Sequence, residues 1–234
     1  MRELPPPLPP ETRTVGQLVA ETIRAYGNDF WRVLPLGLPL AIADQLSVRQ
    51  TAPVQMIVFW AMLPLFVAAY LWACRLVLTA GPTVTAAGIA VLIWLPFPAL
   101  RAAYVLPALA WLAFIGLAVP AAMVERLPFR NALERGRRLG TADYVHALGS
   151  LAALVVVVGI AANTLSALLH TQGDNGQRAA VFLSDLVLSP LLFLGGALLY
   201  VDQAARAVRS APDAALHTSV DADSAGRSDP QVES

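Results

Sequence analysis

Apolar residues fill this chain in long, nearly unbroken runs, and polar residues gather between them. Runs near or above eighteen residues mark helices that cross a bilayer, whose hydrocarbon core of about 30 Å takes about 20 helical residues to span. The pattern predicts spans over 30–47, 53–79, 83–100, 102–124, 144–170 and 179–201. Pro35 and Pro39 interrupt the first run, and Asp44 lies near its far end. Membrane helices tolerate proline where neighbours satisfy the freed carbonyls. The third run is short and ends in Pro96-Phe97-Pro98. Gly195-Gly196 in the last run permits close helix approach. The expected fold is all-α, a six-helix transmembrane bundle.

Two further segments alternate at helical spacing without being apolar throughout. Thr14 and Gln17 make a capping-box pair, and Val15, Leu18, Val19, Thr22, Ile23, Tyr26 and Phe30 recur on one stripe. This predicts an N-terminal amphipathic helix lying on the membrane surface or packed against the bundle. Between the fourth and fifth runs, Phe129, Ala132, Leu133, Gly136 and Leu139 share a face, with Pro128 suited to a first helical turn. This predicts a short amphipathic loop helix in the headgroup layer. Residues 1–13, rich in proline, are expected to be disordered, as are 210–234, rich in Asp, Ser and Ala. The membrane domain is thus expected over 14–209.

Composition agrees with the pattern. The chain of 234 residues is 57% hydrophobic and 14% charged, with a mean hydropathy of +0.61. A soluble domain of this length needs more polar surface. The formal charge of +0 gives no reason to expect a nucleic-acid partner. The single cysteine, Cys74, supports neither a disulfide framework nor a cysteine metal site. The first 28 residues have no early apolar stretch, so a cleavable signal peptide is not expected.

Charge placement adds an orientation. The sixteen basic residues are all arginine, and five of them, Arg126, Arg130, Arg135, Arg137 and Arg138, lie in one loop. Six spans place these on the same side as Arg2, Arg13, Arg24, Arg32, Arg75, Arg206, Arg209 and Arg227, leaving Arg49, Arg101 and Arg178 opposite. The positive-inside rule then sets both termini in the cytoplasm of a bacterial inner membrane. The arginine loop reads first as a topology determinant. Contact with anionic phospholipid headgroups, or docking of another membrane or envelope protein, are the functional alternatives.

Candidate chemistry is sparse. The chain holds no HExxH, Walker lysine, GxSxG or glycine-rich dinucleotide loop, and no catalytic residue, cofactor or metal is expected. Asp185 lies inside a span, where a carboxylate faces a partner or a wet cavity, with Asn163 and His170 the nearest helix-paired candidates. Ser166, His170, Ser184 and Asp185 carry the residue types of a nucleophile, base and orienter. A structural reading, with Ser166 bonded to a carbonyl and His170 at the interface, accounts for them without catalysis.

Three places resemble the membrane-domain family associated with bacterial glycerophosphodiester phosphodiesterases. They are Val15-Gly16-Gln17-Leu18 with Tyr26 and Phe30; Pro120-Ala121, Val124-Glu125, Ala132-Leu133, Arg135 and Arg138-Leu139 with Tyr144; and Leu199-Tyr200-Val201-Asp202. Gly136 stands where that family has serine, and Ala204 where a basic residue follows the closing aspartate. The resemblance implies a helical membrane domain without catalysis of its own, a stand-alone relative lacking the catalytic barrel. The leading functional expectation is a non-enzymatic integral membrane protein that scaffolds or assists envelope or lipid-handling partners. A small transporter or permease subunit is the alternative, and a membrane-embedded lipid enzyme stands third.

Overall fold

The computed structural model describes residues 9–103, 105–169 and 173–225. It is helical throughout, with no strand among the described residues. A 3-10 turn over Pro10–Thr12 leads into α1, Val15–Asn28. The expected capping box is present: the Thr14 hydroxyl accepts from the Gln17 amide at 3.4 Å, and the Thr14 amide donates to Gln17 Oε1 at 2.7 Å. Two orphan donors of the first turn are thereby satisfied.

The segment expected to form the first span is not one helix. It divides into α2 (Phe30–Val33), a 3-10 turn (Leu34–Gly37) and α3 (Leu38–Ser47). Pro35 and Pro39 lack the amide that a continuous helix needs, and each lies at the start of a new piece. Gly37 is pressed against the backbone of Leu186, so a side chain there would collide with main chain. α4 (Ala52–Ala61) and α5 (Leu63–Leu78) form a pair bent by 51°, with Pro64 in the first turn of α5. Thr79 ends α5 in the left-handed region, φ 52°.

Thr83 caps α6 (Val84–Trp94), accepting from the Ala86 amide at 3.0 Å. α7 (Phe97–Ala103), α8 (Val105–Ile115), α9 (Ala118–Val124) and α10 (Phe129–Ala142) follow, then α11 (Tyr144–Leu169), α12 (Gly173–Leu188) and α13 (Pro190–Ala225). α13 runs on through residues whose composition favours disorder.

Among the described residues, three helices are long and apolar enough to cross a membrane: Val105–Val124, Tyr144–Leu165 and Arg178–Arg209. The bent α4–α5 pair makes a fourth candidate. The apolar stretch Val84–Leu100 is shorter, and the pieces between Phe30 and Ser47 are shorter still. α11 leaves Val156, Ile160 and Leu168 at 57%, 63% and 71% exposure, an apolar surface that water covers poorly and lipid covers well.

Two cores hold the helices. One is aromatic: Phe59 stacks on Phe66 at 5.9 Å between ring centroids, Phe66 on Trp94 at 5.4 Å, and Phe193 tilts against Trp94 at 5.8 Å. The other is aliphatic: Leu18, Leu117, Leu139, Leu154 and Leu199 tie α1, the α8–α9 segment, α10, α11 and α13 together.

Candidate functional site

The arginine loop forms a helix with one face on protein. Ala132, Gly136, Leu139 and Gly140 of α10 are buried. A Cβ on Gly136 would collide with the Ala118 backbone, and one on Gly140 would come within 2.6 Å of the Ala113 and Phe114 carbonyl oxygens. Only glycine permits this approach. Most of the face that the sequence offers to the headgroup layer is therefore taken up by α8 and α9, with Phe129 left exposed, and the arginines stand outside. Arg126, Arg130, Arg137 and Arg138 are exposed. Arg138 pairs with Glu134, and Arg135 Nε donates to Glu125 Oε1 at 3.0 Å. Arg126, Arg130 and Arg137 make no ion pair with the described residues. Arg126 adopts φ 50°, where a non-glycine residue is strained. The hydrogen bond from Arg138, followed by the charges of Arg138, Arg137 and Arg130, holds the Glu134 carboxyl below its ordinary value.

A second set of arginines lies inside. Arg13, expected in a disordered tail, is buried and anchored. Its Nη1 donates to Asp202 Oδ1 at 2.7 Å, and Asp202 is wholly inaccessible. Its carbonyl accepts from Arg206 Nη2 at 2.6 Å, and Arg206 Nη1 donates to Asp143 Oδ2 at 2.9 Å. Asp143 also caps α11, its Oδ1 accepting from the His146 amide at 3.2 Å. Gln203 Nε2 donates to the Asp143 carbonyl at 3.3 Å. Beside this network, the Tyr200 hydroxyl donates to Glu125 Oε1 at 3.1 Å. A polar layer thus joins the N-terminal segment, the α9–α10 and α10–α11 turns and α13.

The third feature is a cavity of about 280 Å³ between α8 and the α5–α13 pair. α8 packs on α7, α10 and α11, while α5 and α13 pack on each other, and the gap between these groups stays open. Leu109, Leu112 and Val155 face an aromatic wall of Phe66, Tyr70, Trp94, Phe97 and Phe193 across it. None of the described lining residues is charged. The Tyr70 hydroxyl donates to the Gly116 carbonyl at 3.0 Å, and the Ser189 hydroxyl donates to the Asp185 carbonyl. The Trp94 Nε1–H is buried with no acceptor among the described residues.

The residues singled out around Asp185 are only partly brought together. Asn163 donates its amide to the Gly159 carbonyl of its own helix at 2.7 Å. Ser184 is buried and donates to the Val181 carbonyl at 2.8 Å. Asp185 is half-buried. His170 lies outside the described residues, as does the side chain of Ser166. Among the described residues, no group of three or more His, Cys, Asp or Glu side chains is placed to hold a metal ion.

Arg13, Asp143 and Arg206 carried no local signal for their role. Trp94 and Tyr70 read as ordinary apolar positions. Asp202 was marked only as part of Leu199-Tyr200-Val201-Asp202, one of the motifs that carry the family resemblance. Compared with protein-family profiles, curated proteins and solved structures, the chain matches none.

Proposed function

We propose that this chain is a multi-pass protein of a bacterial inner membrane whose α10 presents a fixed arginine face to anionic phospholipid headgroups. It acts without catalysis, holding lipid or envelope partners at that face. The carrying observation is how α10 is seated: Gly136 and Gly140 fix it against backbone, while Arg126, Arg130 and Arg137 stay outward and unpaired among the described residues. Each arginine held near an anionic surface contributes about 1 kcal/mol. The strained backbone at Arg126 supports the same reading, because glycine would fit there at lower cost. The apolar lining of the central cavity weighs against transport of a polar solute.

Arginine asymmetry favours six crossings with both termini cytoplasmic. The broken α2–α3 segment and the α6–α7 segment would supply the two beyond the bent pair and the three long spans. This arrangement keeps α10 and the polar layer on the anionic inner leaflet. The resemblance to the membrane domains of glycerophosphodiester phosphodiesterases points to the same class of lipid-handling role.

The test uses the full chain in nanodiscs of mixed phosphatidylcholine and phosphatidylglycerol, reading which spin-labelled lipid the protein immobilises. The expected result is a preference for phosphatidylglycerol that salt weakens and that falls severalfold when Arg126, Arg130 and Arg137 become glutamine. An equal preference in the triple variant would overturn the proposal. Reporter fusions after Gln50 and after Arg209 check the orientation, with the first expected outside and the second inside.

A further inference from the structure

The central cavity is a slot with one closed end. Val105, Ala108, Leu109 and Leu112 line it along α8, and Leu192, Phe193, Gly196 and Leu199 line it along α13. Each set falls on one helical face, so the cavity follows the two helices lengthwise. From Ser189 to Leu199 the lining extends about 15 Å along the axis. A round cavity of about 280 Å³ would be little more than half as wide, so the space is drawn out. Leu117 and Leu199, both buried in the aliphatic core, shut one end, where the Tyr70 hydroxyl reaches the Gly116 carbonyl. At the other end Val105 lines the slot and is 52% exposed, and its neighbour Leu106 is exposed too. The mouth is therefore rimmed by carbon. The interior is carbon as well. None of the described lining residues is charged, and the Tyr70 and Ser189 hydroxyls already donate to carbonyls. The Trp94 nitrogen is itself buried, so Trp94 shows the slot only ring carbon. Water would find few partners here, and an empty space of this size forfeits the contacts of the side chains around it.

We propose that the slot takes one unbranched alkyl chain of a lipid, entering end-on past Val105, with the polar head left outside. Shape selects a chain over a bulky ring. A flexible chain can fill a space that runs along two helices to a blind end, whereas a wide ring system stops at the mouth. Chemistry selects the chain over the head. A carboxylate or phosphate inside would be buried without a charged partner among the described lining residues. The apolar rim lets the chain pass in with no polar group to desolvate on the way. This site is separate from the arginine face of α10, and neither needs the other.

The experiment uses the full chain purified in a cholate-type detergent, which brings no alkyl chain of its own. Dodecanol is titrated against cyclododecanol, the same number of carbons closed into a ring, and the readout is the thermal unfolding midpoint. Dodecanol should raise the midpoint by several degrees, growing with the logarithm of its concentration, and cyclododecanol should not. Dodecanoyl lysophosphatidylcholine separates the two sources of the chain. A shift at lower concentration than dodecanol marks a membrane lipid as the ligand, and the reverse marks a free chain. Ala108→Phe places a ring inside the slot and should abolish the shift. Should that variant fail to fold, dodecanol brominated along its chain supplies the second measurement. It should quench the fluorescence of the parent more than that of Trp94→Phe, because Trp94 walls the slot. The proposal is overturned by equal stabilisation with cyclododecanol, by no stabilisation with either straight-chain probe, by an intact shift in folded Ala108→Phe, or by equal quenching in parent and Trp94→Phe.

Discussion

Two sets of arginines occupy the same end of this molecule and live by different rules. Arg13 and Arg206 are drawn inside, where they bind Asp202, Asp143 and a backbone carbonyl. Arg126, Arg130 and Arg137 stand outside on α10 without an ion pair among the described residues. The inner set is fixed by partners far away along the chain, and its loss is expected to destabilise the fold. The outer set is held by the α10 helix or the turn before it, and its loss is expected to leave the packing of the bundle unchanged. Counting arginines assigns all of them one duty, topology; the structure divides them into those paired within the bundle and those exposed on α10 and the turn before it.

The sharpest way to break this contrast is to remove one member of the inner pair. Asp202→Ala leaves Arg13 buried without its carboxylate, and losing one partner of such a pair costs about 3–5 kcal/mol. We expect a large fall in the unfolding midpoint of the solubilised protein, or loss of the folded fraction on size exclusion. A neutral result would mean that the N-terminal segment is not anchored there.

The middle effect probes the seat of α10. Gly140→Val drives a branched side chain into the Ala113 and Phe114 carbonyls, and overpacking of this kind costs about 1–3 kcal/mol. Protease cleavage within 125–143 is expected to accelerate while α13 stays protected. Equal cleavage rates in the variant and the parent would show that α10 does not need this close approach.

The smallest effect separates stability from function. Arg126→Gly relieves a left-handed backbone and should raise stability by roughly 1 kcal/mol or less, even as it weakens the preference for anionic lipid. Loss of stability would mean that Arg126 belongs to the inner set after all.

Much of the architecture was legible along the chain. The expected spans 102–124, 144–170 and 179–201 correspond to Val105–Val124, Tyr144–Leu165 and Arg178–Arg209, because uninterrupted apolar length is a local property. Thr14 and Gln17 announced α1 for the same reason. The segment 30–47 was harder: its apolar content suggested length, while Pro35 and Pro39 dictated short pieces. The candidate sites were less legible still. Arg13 looked like tail because it follows a proline-rich stretch, and its partner lies 189 positions away. Nothing local marks Trp94, since an unmet donor is defined by what surrounds it in space. The glycines of α10 read as weak helix formers, yet Gly136 and Gly140 are what let an arginine-rich helix seat against backbone.

The tie between Arg13 and Asp202 also constrains how the molecule is made. A ribosome releases the N-terminal segment long before the last helix exists. Until then the Arg13 guanidinium must stay hydrated or borrow a temporary counterion. Its docking site is completed only when the closing helix joins the bundle, so burial of Arg13 is among the final acts of assembly. A chain truncated before residue 202 would lack the carboxylate that Arg13 docks on, and the segment around Arg13 is expected to become more open to proteolysis.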